Sequence, residues 1–339
     1  MRIIPEIGID LGTANIVVYR RGKGIVLTEP TVVAVTTNNK KVLAVGHSAR
    51  EMIGRTPGNI QAVRPLKDGV IADYTVTCSL LEHLRRKIVG KLQFGLKPTA
   101  LISVPSGVTN VERRAVLKAA NAAGFGKVAT IEEPMAAAIG VGLPIADAGG
   151  NMVVDIGGGT TDVAVISLGG IVLSESLRLG GNKLDDTIIK YIRNVYGLQI
   201  GDQTAEEVKV HIGSAYPMAQ ELSMPIRGRD LVGGLPKTIE VTSTEIREAL
   251  GEPVRQIAEK VCMVLEMTPP ELSADIIERG ITLTGGGALL RGLDKFLERA
   301  TEIDVYVADN SLDCVAIGTG RALEQFDKIE ASGAVSRIK

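Results

Sequence analysis

"VVDIGGGTTDVAVISLGGIV", residues 153–172, sets three glycines and two threonines between two apolar runs. "GIDLGTANIVVYRRGKGIV", residues 8–26, repeats the plan near the start of the chain. In each, an aspartate ends an apolar strand and a glycine-containing turn follows. A second strand then returns as a hairpin and leads through another glycine turn to "GIV". One such hairpin would be unremarkable in a chain with 39 glycines. Two copies that agree in aspartate, turn and following strand, with Asp10 and Asp155 at matching places, read as a duplicated domain whose hairpins face one ligand.

The bulk properties fit that reading. At 339 residues the chain exceeds the usual size of one compact core, so two domains are expected. Apolar residues at 45% and charged residues at 23% are ordinary for a globular protein. A net charge of -1 provides no field to recruit nucleic acid. Cys78, Cys262 and Cys314 are far apart, and the three histidines are scattered. This argues against a disulfide framework or a zinc cluster, and fits a reducing compartment. No run of about 18 apolar residues is present. A strand pattern opens at Ile7, so a soluble, cytoplasmic protein without a signal peptide is expected.

Short β-rich runs alternate with longer helical ones, which predicts an α/β architecture. Strands are predicted at 7–10, 16–19, 31–36, 100–104, 152–155, 163–167 and 281–284. The Thr109/Glu112 spacing of a capping box opens a helix at 111–123, with Gly124 as its stop. Thr204 and Glu207 repeat the spacing before a helix at 205–213. Further helices are predicted at 184–196 and 244–267, the last interrupted by Gly251 and Pro253 and ended by Pro269 and Pro270.

The turn chemistry suits a polyphosphate. Glycine brings backbone N–H groups close to a ligand, and successive N–H groups form an anion-binding nest. Gly12, Thr13, Ala14 and Asn15 would supply one side of a clamp, and Gly157, Gly158, Gly159 and Thr160 the other. Asp10 and Asp155 then lie where Mg²⁺, which keeps several waters, would be held through those waters. "ITLTGGGALLRGLDKFL", residues 281–297, offers a backbone surface against which adenine or ribose could pass. "TAEEVK" places Glu206 and Lys209 on one helix face, as ligand contacts or as a surface ion pair. In "IEEPMAAAIG", residues 131–140, Glu132 or Glu133 could orient a water on a γ-phosphate; either could equally be a solvated helix-start charge.

Taken in order, these segments resemble the MreB/Mbl family of bacterial actin-like cell-shape proteins, within the actin, heat-shock ATPase and sugar-kinase superfamily. "EPTVVAV", "GRTPGNI", "RPLKDGVIADY", "VPSGVT", "EEPMAAAIG", "IRGRDLVGGLPKTIEV", "TPPELSADI", "GITLTGGGALL" and "DCVAIGTGRALE" carry the resemblance along with the two hairpins, and it covers essentially the whole chain. It implies an α/β, actin-like, two-lobed ATPase fold with duplicated mixed-sheet subdomains and two smaller inserted ones. Residues 1–29, 74–145 and 319–339 would form the large part of lobe I, with 30–73 as its insert. Residues 146–179 and 245–318 would form the large part of lobe II, with 180–244 as its insert.

The resemblance also implies ATP and Mg²⁺ in the cleft. Thr13, Ala14 and Asn15 match the first phosphate loop, and Gly157 to Thr160 the second. Glu206 and Lys209 match the nucleoside-contacting helix, and Gly285, Gly286, Gly287 and Ala288 the adenosine loop. Glu133, the carboxylate directly before the proline, matches the water-orienting residue, with Thr160 assisting. The family turn reads "GTANT"; here Ile16 replaces the last threonine and removes one hydroxyl near the phosphates. The implied function is ATP-dependent assembly, with slow coupled hydrolysis, into paired antiparallel protofilaments at the inner face of the cell membrane. There they would work with the cell-wall elongation machinery to set rod shape. "KLQFGLKP", residues 91–98, offers Leu92 and Phe94 for shallow membrane insertion, beside Ile3 and Ile4. The helix at 111–123 is the candidate for the antiparallel filament face. A small-molecule kinase on the same fold would need an acceptor pocket with its own base, and a chaperone ATPase a further peptide-binding domain.

Overall fold

The structure, a computed structural model, describes residues 4–89 and 97–324 and the backbone of 335–337. Its frame is one sheet built twice. In the first copy β1 (Glu6–Leu11), β2 (Asn15–Arg20) and β3 (Gly24–Pro30) form an antiparallel meander. The chain then leaves for a small three-stranded sheet of β4 (Val33–Thr36), β5 (Val42–Val45) and β6 (Ile60–Val63), with one turn of helix, α1 (His47–Arg50), between the last two. A short ladder of β7 (Leu66–Lys67) and β8 (Val70–Ile71) brings it back. There follow α2 (Tyr74–Val89), β9 (Thr99–Val104), α3 (Asn110–Ala122), β10 (Val128–Glu132) and α4 (Glu133–Val141).

The second copy opens with the meander of β11 (Asn151–Ile156), β12 (Thr161–Ser167) and β13 (Gly170–Leu177). Its inserted part comprises α5 (Gly181–Tyr196), β14 (Leu198–Gln199), α6 (Asp202–Ile212), β15 (Ser223–Asp230) and β16 (Pro236–Thr242). Then come α7 (Ser243–Met267), α8 (Pro270–Arg279), β17 (Ile281–Thr284), a 3-10 turn at Gly286–Leu289, α9 (Leu293–Thr301) and β18 (Val305–Val307). Last are α10 (Cys314–Glu324) and β19 (Val335–Arg337).

Strand order shows the duplication directly. The first sheet runs β3-β2-β1-β9-β10, with β19 added at its edge, and the second β13-β12-β11-β17-β18. In both, the first strand pairs antiparallel to the second and parallel to the strand that follows the insert. Even the irregularity is shared: register shifts at Val18/Tyr19 in one meander and at Val165/Ile166 in the other. The central strands β11 and β12 are buried on both faces, which is why they read as continuous apolar runs rather than alternating ones.

Each lobe has its own core, and a third cluster lies between them around Met135, Ile131, Val153, Ile166 and Val315. Here α4 and α10 touch backbone to backbone. A side-chain carbon on Gly318 would lie 1.7 Å from the Ala136 carbonyl oxygen, and one on Gly140 would lie 1.9 Å from that of Cys314.

Several boundaries differ from the sequence reading. The Thr109/Glu112 capping box forms as expected. Thr204 and Glu207 do not cap: α6 already begins at Asp202 behind an extended Gly201, so Thr204 lies inside the helix. Gly251 and Pro253 do not interrupt α7, which runs unbroken for 25 residues from a Thr242/Glu245 capping box. Its apolar stripe, Ile246, Leu250, Val254, Ile257, Val261 and Val264, is fully buried, and that burial outweighs the cost of an internal proline.

The α4–α10 contact predicts a large effect from a small change. Gly318→Ala forces the two helices apart and costs about 2–3 kcal/mol by chemical denaturation, as expected for overpacking. Gly58→Ala, where nothing lies within 4 Å, serves as a control that stays within about 0.5 kcal/mol of the parent.

Candidate functional site

The two echoed turns face each other across a cleft of about 540 Å³ between the lobes. They meet so closely that Gly158 has no room for a side chain: its first carbon would fall 2.6 Å from Cβ of Ala14. In the first turn, the Thr31 hydroxyl donates to the Gly12 carbonyl at 2.7 Å and the Thr31 N–H to the Ala14 carbonyl at 2.9 Å. In the second, Gly157 N–H donates to the Thr160 carbonyl, and the Gly157 and Gly158 carbonyls accept from Gly181 and Asn182 at the start of α5. The α5 N-terminus, with its partial positive charge, is thereby joined to the turn. Among the described residues, the N–H groups of Thr13, Ala14, Gly158 and Gly159 enter none of these backbone bonds and are left as donors for an anion.

Beneath the turns lie the strand-end carboxylates, and the duplication extends to what holds them. The Ser103 hydroxyl on β9 donates to Asp10 Oδ1 at 3.0 Å, and the Thr284 hydroxyl on β17 donates to Asp155 Oδ1 at 2.8 Å. Glu133, at the first turn of α4, lines the same cleft and is buried. Glu132 instead turns to Arg113, 3.4 Å away. The sequence reading missed a fourth carboxylate, Asp162, which lies opposite Asp155 in the hairpin and accepts the Ser106 N–H of the other lobe at 2.9 Å.

Loss of water pushes Asp10, Asp155 and Asp162 each up to about 7. Burial raises Glu133 well above the usual carboxyl range, and the charges of Asp162, Asp10 and Asp155 add to it. No lysine or arginine is among the groups that set these values. The donor set therefore fits a divalent cation, whose charge would supply the missing compensation. Among the described residues no three acidic, histidine or cysteine side chains converge tightly enough to hold such an ion directly. Coordination through water is the arrangement that agrees with this, and it suits Mg²⁺.

Toward the mouth, Gly285, Gly286 and Gly287 line the cleft, while Ala288 is buried behind them. Gly285 takes φ +79 and rests against the end of β11, a position closed to other residues on both counts. Glu206 and Lys209 both line the cleft but do not pair with each other. Lys209 is held by Asp185 at 2.7 Å and donates to the Gly181 carbonyl at 3.0 Å. Glu206 meets Arg50 of the other lobe at 2.5 Å. Val210, Leu289 and Leu312 are each more than half exposed and border this part of the cleft, offering apolar surface to a flat group. No sequence pattern singled them out. Leu92 and Phe94 lie outside the described residues.

A family model described as MreB/Mbl protein matches residues 4–331. The chain is 54% identical to the cell shape-determining protein Mbl of Bacillus subtilis, over 96% of this chain and 97% of that protein. It is 53% identical to the cell shape-determining protein MreB of Escherichia coli strain K12, over 95% and 94% respectively. Among solved structures, MreB5 of Spiroplasma citri bound to AMPPNP superposes with a TM-score of 0.92 at 42% identity, over 98% of this chain and all of that one. The actin-like fold expected from the sequence is shown by that superposition together with the duplicated sheets.

The raised carboxyls set a pH dependence. Their folded-state values near 7 exceed the ordinary 3.8, so the folded protein holds extra protons between those limits and loses stability as pH rises through that window. In EDTA and without nucleotide, Tm is expected to fall from pH 5 to pH 7.5 and then level. Asp155→Asn should flatten part of that slope. A Tm that rises across the same range would contradict the assignment.

Proposed function

Because the chain belongs to the MreB/Mbl family, we propose that it is an ATP-binding and ATP-hydrolysing cytoskeletal protein whose filaments determine cell shape. The observation that carries this reading is the meeting of two glycine turns, one from each copy of the sheet, above a floor of buried carboxyls. The names of the relatives, and the AMPPNP in the Spiroplasma structure, support it. In finer terms, the protein assembles with ATP into paired antiparallel protofilaments at the inner face of the membrane. There it directs the cell-wall elongation machinery.

Transfer of a γ-phosphoryl group to water depends on positioning and on stabilising charge. The turns at Gly12–Asn15 and Gly157–Thr160 hold the phosphate chain from opposite lobes, so the reacting geometry exists only when the lobes are together. Asp10 and Asp155 would hold Mg²⁺ through its waters, and that ion, when bound, offsets charge on the phosphates. Glu133 orients the attacking water, with the Thr160 hydroxyl beside it. Glu206 and Lys209 fix the nucleoside, while Gly285, Gly286 and Gly287 with Leu289 and Leu312 enclose the base. Ile16, which stands where the family turn has a threonine, is fully buried in the core of the first lobe and is not among the residues that line the cleft.

The membrane reading rests on Leu92 and Phe94 and on what precedes them. Arg20, Lys23 and Lys87 line a cavity of about 200 Å³ together with Val26, Leu27 and Ile88, at the end of α2. Lys87 is paired with Glu29 at 2.5 Å, so Arg20 and Lys23 beside the apolar lining are what suits an anionic lipid surface, and weak contacts summed along a filament become firm.

Glu133→Ala should slow phosphate release about 10²-fold while ATP still binds, the typical effect of losing a positioned acid–base group. An unchanged rate would move the role to Glu132 or elsewhere. Pelleting across a concentration series should show a critical concentration lowered by ATP–Mg²⁺ relative to ADP, and lowered again by anionic vesicles. Leu92→Ser with Phe94→Ser should abolish only the vesicle effect. ATP binding without pelleting in any condition would point to a kinase and call for an acceptor screen.

A further inference from the structure

Across the mouth of the cleft, the insert of one lobe is bonded to the insert of the other. Arg50, at the end of α1, places Nη2 2.5 Å from Glu206 Oε2. Gln203 on the same turn of α6 donates its Nε2 to the Arg50 carbonyl at 3.0 Å. Arg64, just beyond β6, approaches Asp202 at 3.8 Å. All three contacts end on the N-terminal half of α6, the helix that carries Glu206 and Lys209 to the cleft.

The position of Glu206 gives these bonds a chemical meaning. Its carboxylate lines the cleft, whereas Arg50 does not. The guanidinium occupies Oε2, and a carboxylate has acceptor sites on both oxygens. Oε1 is thus left to accept from a hydroxyl in the cleft. Lys209, which at i+3 would otherwise draw Glu206 along the helix, is engaged by Asp185 and the Gly181 carbonyl. Glu206 therefore takes its orientation from the opposite lobe.

We propose that Arg50 is a nucleotide-positioning residue supplied across the cleft. It aims the Glu206 carboxylate at the ribose hydroxyls, so that a bound nucleoside and closure of the two inserts reinforce each other. The proposal rests on the reading of Glu206 as a nucleoside contact. Its reciprocal consequence is that nucleotide holds the inserts together and Arg50 holds the nucleotide in.

The test measures release of ATP and of 2′,3′-dideoxy-ATP, chased from the full chain with Mg²⁺ present, in the parent, Arg50→Ala and Arg50→Lys. Arg50→Ala should speed ATP release about two- to fivefold, the scale of one half-exposed ion pair. It should change dideoxy-ATP release much less, because that ligand lacks the hydroxyls Glu206 would receive. Arg50→Lys keeps the charge but not the fork, and should restore part of the retention. Equal acceleration of both nucleotides, or none, would overturn the proposal, since a purely structural role for Arg50 does not distinguish them. If the parent itself releases both at one rate, Glu206 does not read ribose, and the underlying site reading fails with it.

Discussion

Four carboxyl groups meet at the junction of the lobes with no lysine or arginine among the groups that set their protonation. A buried charge without a partner costs several kcal/mol, so near neutral pH such groups keep protons until positive charge arrives. Everything around them holds them in place against that cost. The central strand of each sheet ends there, α4 begins there, and hydroxyls from the adjacent parallel strands prevent Asp10 and Asp155 from turning away. The glycine turns close over them. An anion clamp above a floor of carboxyls that ionise only when positive charge arrives fits a cation between the two, the place that the proposed function gives to Mg²⁺.

Much of this was legible in the sequence because it is local. An aspartate, a glycine turn and a returning strand occupy one short window, and seeing the window twice gave both the duplication and the cleft. Glu133 was separable from Glu132 only by its place before Pro134, yet the structure sends the two in different directions. Features that need distant pairings were not legible. Ser103 and Thr284 matter only because β9 and β17 run beside β1 and β11. Asp162 stood in the first stretch quoted, but its burial and its bond to Ser106 depend on the first lobe. Helix ends failed where spacing alone was read: Thr204/Glu207 has the spacing of a capping box inside a helix already under way, whereas Thr242/Glu245 forms one.

The duplication is informative where it breaks. Asp155 faces Asp162 across its hairpin, while Asp10 faces Val17. One copy thus has an apolar partner, and the other carries a second acid that reaches across to the first lobe. The two halves of the floor are not equivalent. The acid-rich side lies beside Thr160 and Glu133, the two residues to which the proposed function gives the water-orienting role.

The two ends of the interface between the lobes are built from different materials. At the base, α4 and α10 are in backbone contact through Gly140 and Gly318, surrounded by fully buried apolar side chains. Opening that contact would expose a core. At the mouth, the lobes are joined by half-exposed ion pairs and one side-chain amide hydrogen bond, each worth about 1 kcal/mol in water. Thermal motion can break the second set and not the first. Separation of the lobes is therefore least costly as a hinging that spreads the mouth, and the mouth is where Glu206 sits. A nucleotide held as proposed, from the carboxyl floor to Glu206, would touch both the fixed end and the free end, which is the geometry needed for occupancy of one site to control the relative angle of the lobes.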